Sequence, residues 1–177
     1  MSRTPDVFFG AGYAAPGSTN PHWIKQNEFY HCRADGGDGF GYIGRDKAIE
    51  KDALGYAGER PGSTGLWGPD GFYTKEDIKE MREKLRGSDC PVWHGVVSFS
   101  AEFGEKYAWD TKQAQKLIKD VMPRFLKAQG LSIDNVTWTA AYHVNTDNNH
   151  VHLLWFENEP LKGTAKNPRY SKGRVPP

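Results

Sequence analysis

The sequence predicts an α+β fold, a mainly antiparallel sheet with helices packed on one of its faces. Three observations lead there. The 177-residue chain is the length of one domain, and its six Trp, nine Phe and eight Tyr supply enough apolar surface for a core. A β-like run, VWHGVVSFS at 92–100, stands between two stretches of helical periodicity. Two further β-like runs, at about 135–143 and 150–157, flank a cluster of turn-forming residues.

Taken in order, residues 1–25 read as an irregular N-terminal arm, rich in Gly, Pro, Ser and Ala over residues 1–21. A first strand is expected at 27–34 (NEFYHCRA), followed by a Gly-rich turn, GGDGFG, at 36–41. Tyr42 to Gly58 reads as a helix, with apolar or small residues at Ile43, Ala48, Ile49, Ala53 and Leu54, and 59–72 reads as a loop. Thr74 with Asp77 has the spacing of a capping box that opens a helix to about Arg86, and Gly87 is placed to end it. After the strand at 92–100, Asp110 or Thr111 caps a helix with apolar residues Ala114, Leu117, Ile118, Val121, Met122, Phe125 and Leu126. Gly130 stops that helix, and Pro123 inside it is expected to kink or split it. Beyond Pro160 no periodicity remains. Residues 161–177 carry five basic residues (Lys162, Lys166, Arg169, Lys172, Arg174) and no acidic one, and read as a flexible basic tail able to track a phosphate backbone.

The segment YHVNTDNNHVH, Tyr142–His152, carries the chemistry. Asn145 to Asn149 form a polar turn, so a hairpin is expected. In the register that pairs His143 with His150, side-chain alternation puts both on one face, and His152 joins them opposite Ala141. The opposite face then carries Val136, Trp138, Ala140 and Tyr142 on one strand and Val151, Leu153 and Trp155 on the other. A slip of one residue would lose the apolar face and the histidine cluster together. Three imidazoles on one side of a cation leave its other positions open to a substrate oxygen, and such ligands permit Zn, Mn, Fe, Ni or Cu. His22, His31 and His94 lack such company and read as structural or surface residues. His94 nevertheless alternates away from Trp93, Val97 and Phe99, which leaves the histidine face open to it.

HVNTDNNHVH resembles the third motif of conjugative relaxases, H-x-D-T-D-N-x-H-x-H, whose last three residues give the HUH pattern. The resemblance is most specific to the MobL-type relaxases of mobilisable elements. Tyr42-Ile-Gly-Arg45-Asp-Lys-Ala48 resembles their Y-x-x-R-x-x-A segment. Tyr56 followed by Ser63-Thr-Gly-Leu-Trp67 resembles Y…T-G-L-F, and Trp93 to Phe99 resembles W-x-x-V-[IV]-S-F. Asn145 stands where the family commonly has Asp.

The resemblance implies an HUH-endonuclease-like (palm or RRM-like) sandwich with its catalytic domain at 26–160, and, since relatives usually continue further, a chain that is part of a longer protein. It also implies metal-dependent nicking of single-stranded, hairpin-bearing DNA at an origin of transfer, through a 5′-phosphotyrosyl intermediate. The implied metal is Mg or Mn, with Zn, Ni or Co able to act in vitro, held by His143, His150 and His152. The family places the nucleophile in an early Tyr-Ile segment, which Tyr42 matches. Tyr42 also stands at an expected helix start, where backbone N–H groups favour a phosphate. Arg45, one turn on, is placed to bind the same phosphate, and Tyr56 is the second candidate nucleophile. Relaxosome accessory and coupling proteins are the implied further partners.

Other classes leave different marks. Rolling-circle initiators and single-strand transposases place the tyrosine after the HUH strand, where this chain has only Tyr170. A metallohydrolase acting on other substrates would form no DNA adduct, and a non-enzymatic DNA-binding module would bind without cleaving. No apolar run reaches the roughly 20 residues of a membrane span, and no charged segment precedes an apolar one at the N-terminus as in a secretory signal. With only Cys32 and Cys90, the expectation is a reduced, cytoplasmic protein.

Overall fold

The computed structural model describes residues 6–14, 19–33, 37–49, 62–107 and 109–171. Strands β1 (Val7–Ala14), β2 (Ser63–Gly68), β3 (Gly71–Thr74), β4 (Val92–Phe99), β5 (Val136–His143) and β6 (His150–Glu157) form one sheet in the order β1-β4-β6-β5-β2-β3. All its pairings are antiparallel. The helices are α1 (Pro21–Tyr30), α2 (Gly39–Ile43), α3 (Lys75–Arg86), α4 (Ala101–Lys106) and α5 (Thr111–Gln129). This is the α+β sandwich that the sequence predicts.

Strand alternation divides the sheet into two faces. On one, Trp93, Val97 and Phe99 of β4, Trp138, Ala140 and Tyr142 of β5, and Val151, Leu153 and Trp155 of β6 pack against Ala114, Ile118, Met122 and Leu126 of α5. Trp93 and Trp155 are cross-strand partners whose rings stack at 6.2 Å. Gly95 makes room beside them, because a Cβ there would lie 3.1 Å from the rings of both Phe9 and Trp155. On the other face Val92, Leu154 and Phe156 pack against Phe40 and Ile43 of α2 and Ile78 and Leu85 of α3. Helices therefore cover both faces, not one. The reason is legible in β6, where LLWF at 153–156 is a continuous apolar run, the mark of a strand buried on both sides.

The local punctuation is as predicted. Thr74 and Asp77 form a reciprocal capping box on α3, and Gly87 ends it. Asp110 caps α5, and Gly130 closes it in the left-handed conformation at φ 80°. Pro123 does not split α5. It sits on the exposed side of the helix, where the carbonyl it leaves unpaired can meet water.

The N-terminal third differs from expectation. Residues 7–14, read as part of an irregular arm, form edge strand β1 and pair along their whole length with β4. Two glycines masked the β signal of Val7, Phe8, Phe9 and Tyr13. Residues 27–30, expected in a strand, end helix α1. That helix starts with Asn20, whose side chain accepts from His22 N–H, and with Pro21 in the first turn. Of the helix expected over 42–58, the described part, residues 42–49, holds only the end of five-residue α2, which Asp38 starts and Gly44 ends. Ile49 lies in an isolated bridge to His143, and residues 50–58 fall outside the described residues. The loop expected at 59–72 contains β2 and, from Gly71, the start of β3. Past Pro160, β7 (Lys162–Thr164) and β8 (Asn167–Arg169) form a small hairpin. Ser171 N–H and Oγ–H then donate to the Glu157 carboxylate.

Candidate metal centre

Register places the three histidines as predicted. In the β5–β6 pairing His143 lies opposite His150, and Ala141 lies opposite His152. The ring centroids are 4.5 Å apart for His143–His152, 4.9 Å for His150–His152 and 5.3 Å for His143–His150. Each ring can present one nitrogen such that the three ligand atoms all lie within 4.8 Å of one another. His143 and His152 are buried and His150 is half-buried.

Hydrogen bonds decide which nitrogens remain free. His143 Nε2 is 2.6 Å from the Ile43 carbonyl, which can only accept, so Nε2 carries the proton and Nδ1 the lone pair. That Nδ1 is buried and has no hydrogen-bond partner. His150 Nδ1 donates to the Asn148 carbonyl at 2.9 Å, leaving Nε2. His152 Nδ1 lies 2.8 Å from His94 Nε2. An orphaned, buried lone pair beside two more imidazoles is what a cation site requires, so the residues present fit a divalent metal. Burial pushes the His143 imidazole down to about 4. Burial, then the neighbouring histidines and Arg45, push His152 down to about 2. Both are therefore neutral at neutral pH and able to donate lone pairs.

The backbone around the cluster is pinned. Ile49 bridges to His143, and Val144 N–H donates to the Ala48 carbonyl at 2.9 Å. Gly65 is required beneath, because a Cβ there would collide with the Ile49 side chain.

Tyr42 and Arg45 join the site. The Tyr42 ring stands edge-on to His152 at 5.5 Å, and the Arg45 guanidinium lies 4.3 Å over the Tyr42 ring. Tyr42 is 43% exposed, open to a substrate. Its setting differs from expectation, however. Tyr42 lies at the end of α2, and its N–H is spent on the Asp38 carbonyl, so the helix start does not offer that group to a phosphate. Asp38 anchors α2 twice, accepting from Gly41 N–H at 2.7 Å and pairing with Arg82 at 2.6 Å. Tyr56 lies outside the described residues.

The model of the MobL relaxases matches residues 23–172. The chain belongs to this family. No curated protein and no solved structure matches it. Membership gives this MobL chain a mobilisation-relaxase role, a DNA-nicking class of activity and DNA as its partner. No helix among the described residues is long and apolar enough to cross a membrane. The match begins after β1, so the edge strand lies outside the matched residues.

Of the remaining histidines in this relaxase, His22 is exposed on α1 and His31 is fully buried. His94 is not a bystander. It lies on the histidine face of β4 and touches His152, with Tyr30 on its far side at 3.2 Å. Its alternation away from Trp93 was the one signal in the sequence. Tyr30 gave none, because the predicted strand at 27–34 hid the helix that delivers it.

Proposed function

We propose that this relaxase nicks one strand of DNA at an origin of transfer, in a metal-dependent, site- and strand-specific reaction through a 5′-phosphotyrosyl intermediate on Tyr42. One observation carries the reading: three imidazoles converge on a common point with an exposed tyrosine and an arginine against them. A bound divalent cation would neutralise the non-bridging oxygens of the scissile phosphate. His143, His150 and His152 would hold it.

The Tyr42 oxygen bonds to phosphorus as the bond from phosphorus to the 3′ oxygen breaks. The phenolic proton passes to solvent, which Tyr42 reaches, and the departing 3′ oxygen takes up a proton to become a free 3′-OH. The phosphotyrosyl ester stores the bond energy for rejoining. Arg45 binds the same phosphate and orients it over the Tyr42 ring. Tyr170, the only tyrosine after the hairpin, has its hydroxyl engaged by Ser88 at 3.2 Å, which favours Tyr42 over the order of a rolling-circle initiator. An all-imidazole set suits Fe, Ni, Cu and Zn better than Mg²⁺ or Mn²⁺, so the expectation of Mg or Mn rests on the family and not on the ligand set. A cytoplasmic setting and relaxosome accessory proteins belong to the same reading.

The test is a labelled single-stranded oligonucleotide carrying the cognate origin, incubated with protein and Mn²⁺ and run on a denaturing gel. A covalent adduct is expected with wild type and absent with Tyr42→Phe. An adduct that survives Tyr42→Phe and disappears with Tyr56→Phe would move the nucleophile, and no adduct with any divalent metal would overturn the reading.

A further inference from the structure

Building on the metal-centre reading above, we propose that His94 is a positioning residue for His152: His94 Nε2 accepts from His152 Nδ1–H, and His94 Nδ1–H donates to the Tyr30 oxygen. This directed chain holds His152 in the tautomer that offers Nε2 to a cation.

The argument is one of donor accounting. The other two ligands have their tautomers fixed by backbone carbonyls, Ile43 for His143 and Asn148 for His150, and a carbonyl only accepts. His152 has no such carbonyl. Its Nδ1 faces another imidazole, His94 Nε2, at 2.8 Å, and that pair alone is symmetric with respect to the proton. A neutral imidazole carries a single N–H. If His94 donated, His152 would hold its proton on Nε2 and lose the lone pair a metal needs. Only the reverse direction leaves His152 a ligand. His94 then spends its Nε2 lone pair on His152 and must carry its own proton on Nδ1. That Nδ1 lies 3.2 Å from the Tyr30 hydroxyl, whose oxygen can accept.

The placement is built in. His94 and His152 project from neighbouring strands on one face, and their rings are nearly parallel, 11° apart. Tyr30 comes from the last turn of α1 and packs on His94 at 5.6 Å between centroids. The chain has a chemical consequence. A metal-bound histidine commonly donates to a carboxylate or carbonyl. A neutral imidazole in that place fixes orientation without adding negative charge, so more of the cation's charge stays available to a phosphate.

The test uses the full chain with Mn²⁺ as the probe. Long-range ¹H–¹⁵N correlation on metal-free wild type reads which His152 nitrogen bears the proton, and calorimetric titration compares wild type, His94→Leu and His94→Gln. The His152 proton is expected on Nδ1. His94→Leu is expected to weaken Mn²⁺ binding by about 10- to 100-fold. His94→Gln, whose amide oxygen accepts near the Nε2 position, is expected to restore most of it. A His152 proton on Nε2, or unchanged binding in His94→Leu, overturns the proposal. Should His94→Leu fail to fold, the spectrum and the glutamine variant decide it, and a glutamine variant as weak as a ligand deletion counts against it. Wild type that binds no Mn²⁺ would sink the metal-centre reading instead, while the spectrum still reports the direction of the chain.

Discussion

Four alternate residues on one face of β6, His150, His152, Leu154 and Phe156, run from a polar end to an apolar one. Depth of burial hardly separates the two inner pairs. His152 is 5% exposed and its neighbour across the hairpin, His143, 0%, against 2% for Leu154 and 1% for Phe156. What differs is what burial leaves behind. Leu154 and Phe156 meet apolar side chains of α2 and α3, and removal from water is favourable by itself. At the histidine end His143 Nδ1 is buried without a partner. A buried polar atom with no partner costs about 1–3 kcal/mol. One sheet face thus serves stability at one end and leaves a buried lone pair without a partner at the other.

The sharpest way to break this comparison is a pair of truncations. Phe156→Ala is expected to cost about 3–5 kcal/mol of stability, read from urea unfolding, while the folded fraction binds Mn²⁺ as wild type does. His152→Ala is expected to abolish Mn²⁺ binding and the DNA adduct while moving the urea midpoint far less. Similar profiles for the two variants would mean that the face is a single core with no functional end.

Acid separates the ends next. The His143 and His94 imidazoles are pushed down to about 4 and His152 to about 2, burial being the first cause of each. An unfolded chain takes up protons on these groups near pH 6.5, whereas the folded chain does so only around pH 4 and below. The unfolded state therefore binds more protons between those values. Stability is complete above pH 6.5 and is lost as pH falls toward 4, by at most about 1.4 kcal/mol per imidazole per pH unit. Urea midpoints of metal-free protein at pH 7.5, 6 and 5 check this. A midpoint that holds steady down to pH 5 would show that the histidine end is as indifferent to protons as the apolar one.

Metal tests the same end from the other side. An ion that binds only the folded state at about 100 times its dissociation constant should add about 2.7 kcal/mol. Mn²⁺ should raise the melting temperature of wild type and of Phe156→Ala alike, and leave His152→Ala where it was. Stabilisation of all three would place the ion elsewhere.

The two ends were not equally legible in the sequence. The hairpin was readable to the residue because two periodicities had to agree, apolar Trp138, Ala140 and Tyr142 on one face and histidines on the other. The caps at Thr74, Asp110 and Gly130 were readable because capping is local. β1 was not, because its evidence is a partner 78 to 92 residues away along the chain; Val7 pairs with Phe99 and Ala14 with Val92. Asn20 and Pro21 announced α1, but the aromatic run that ends it weighed as a strand. His94 falls between these cases. Its face was legible, whereas its contact with His152 depends on the offset of β4 against β6, which no local pattern encodes.

The smallest effect joins the two ends through α2. This five-residue helix contributes Phe40 and Ile43 to the apolar core, carries Tyr42 to the site, and fixes the His143 tautomer through the Ile43 carbonyl. Its anchor is Asp38, which both caps the helix and pairs with Arg82. Asp38→Asn keeps the cap, since Asn serves there as well as Asp, and removes only the ion pair. The pair is partly solvated, so the expected cost is about 1 kcal/mol or less. The rate of adduct formation should fall more than Mn²⁺ affinity, because the Tyr42 backbone belongs to α2 whereas that of His143 is held by β6 and by Ile49. Equal losses in both would mean that α2 positions the metal ligand as much as the tyrosine. An unchanged rate would mean that the core contacts of Phe40 and Ile43 hold α2 without the ion pair.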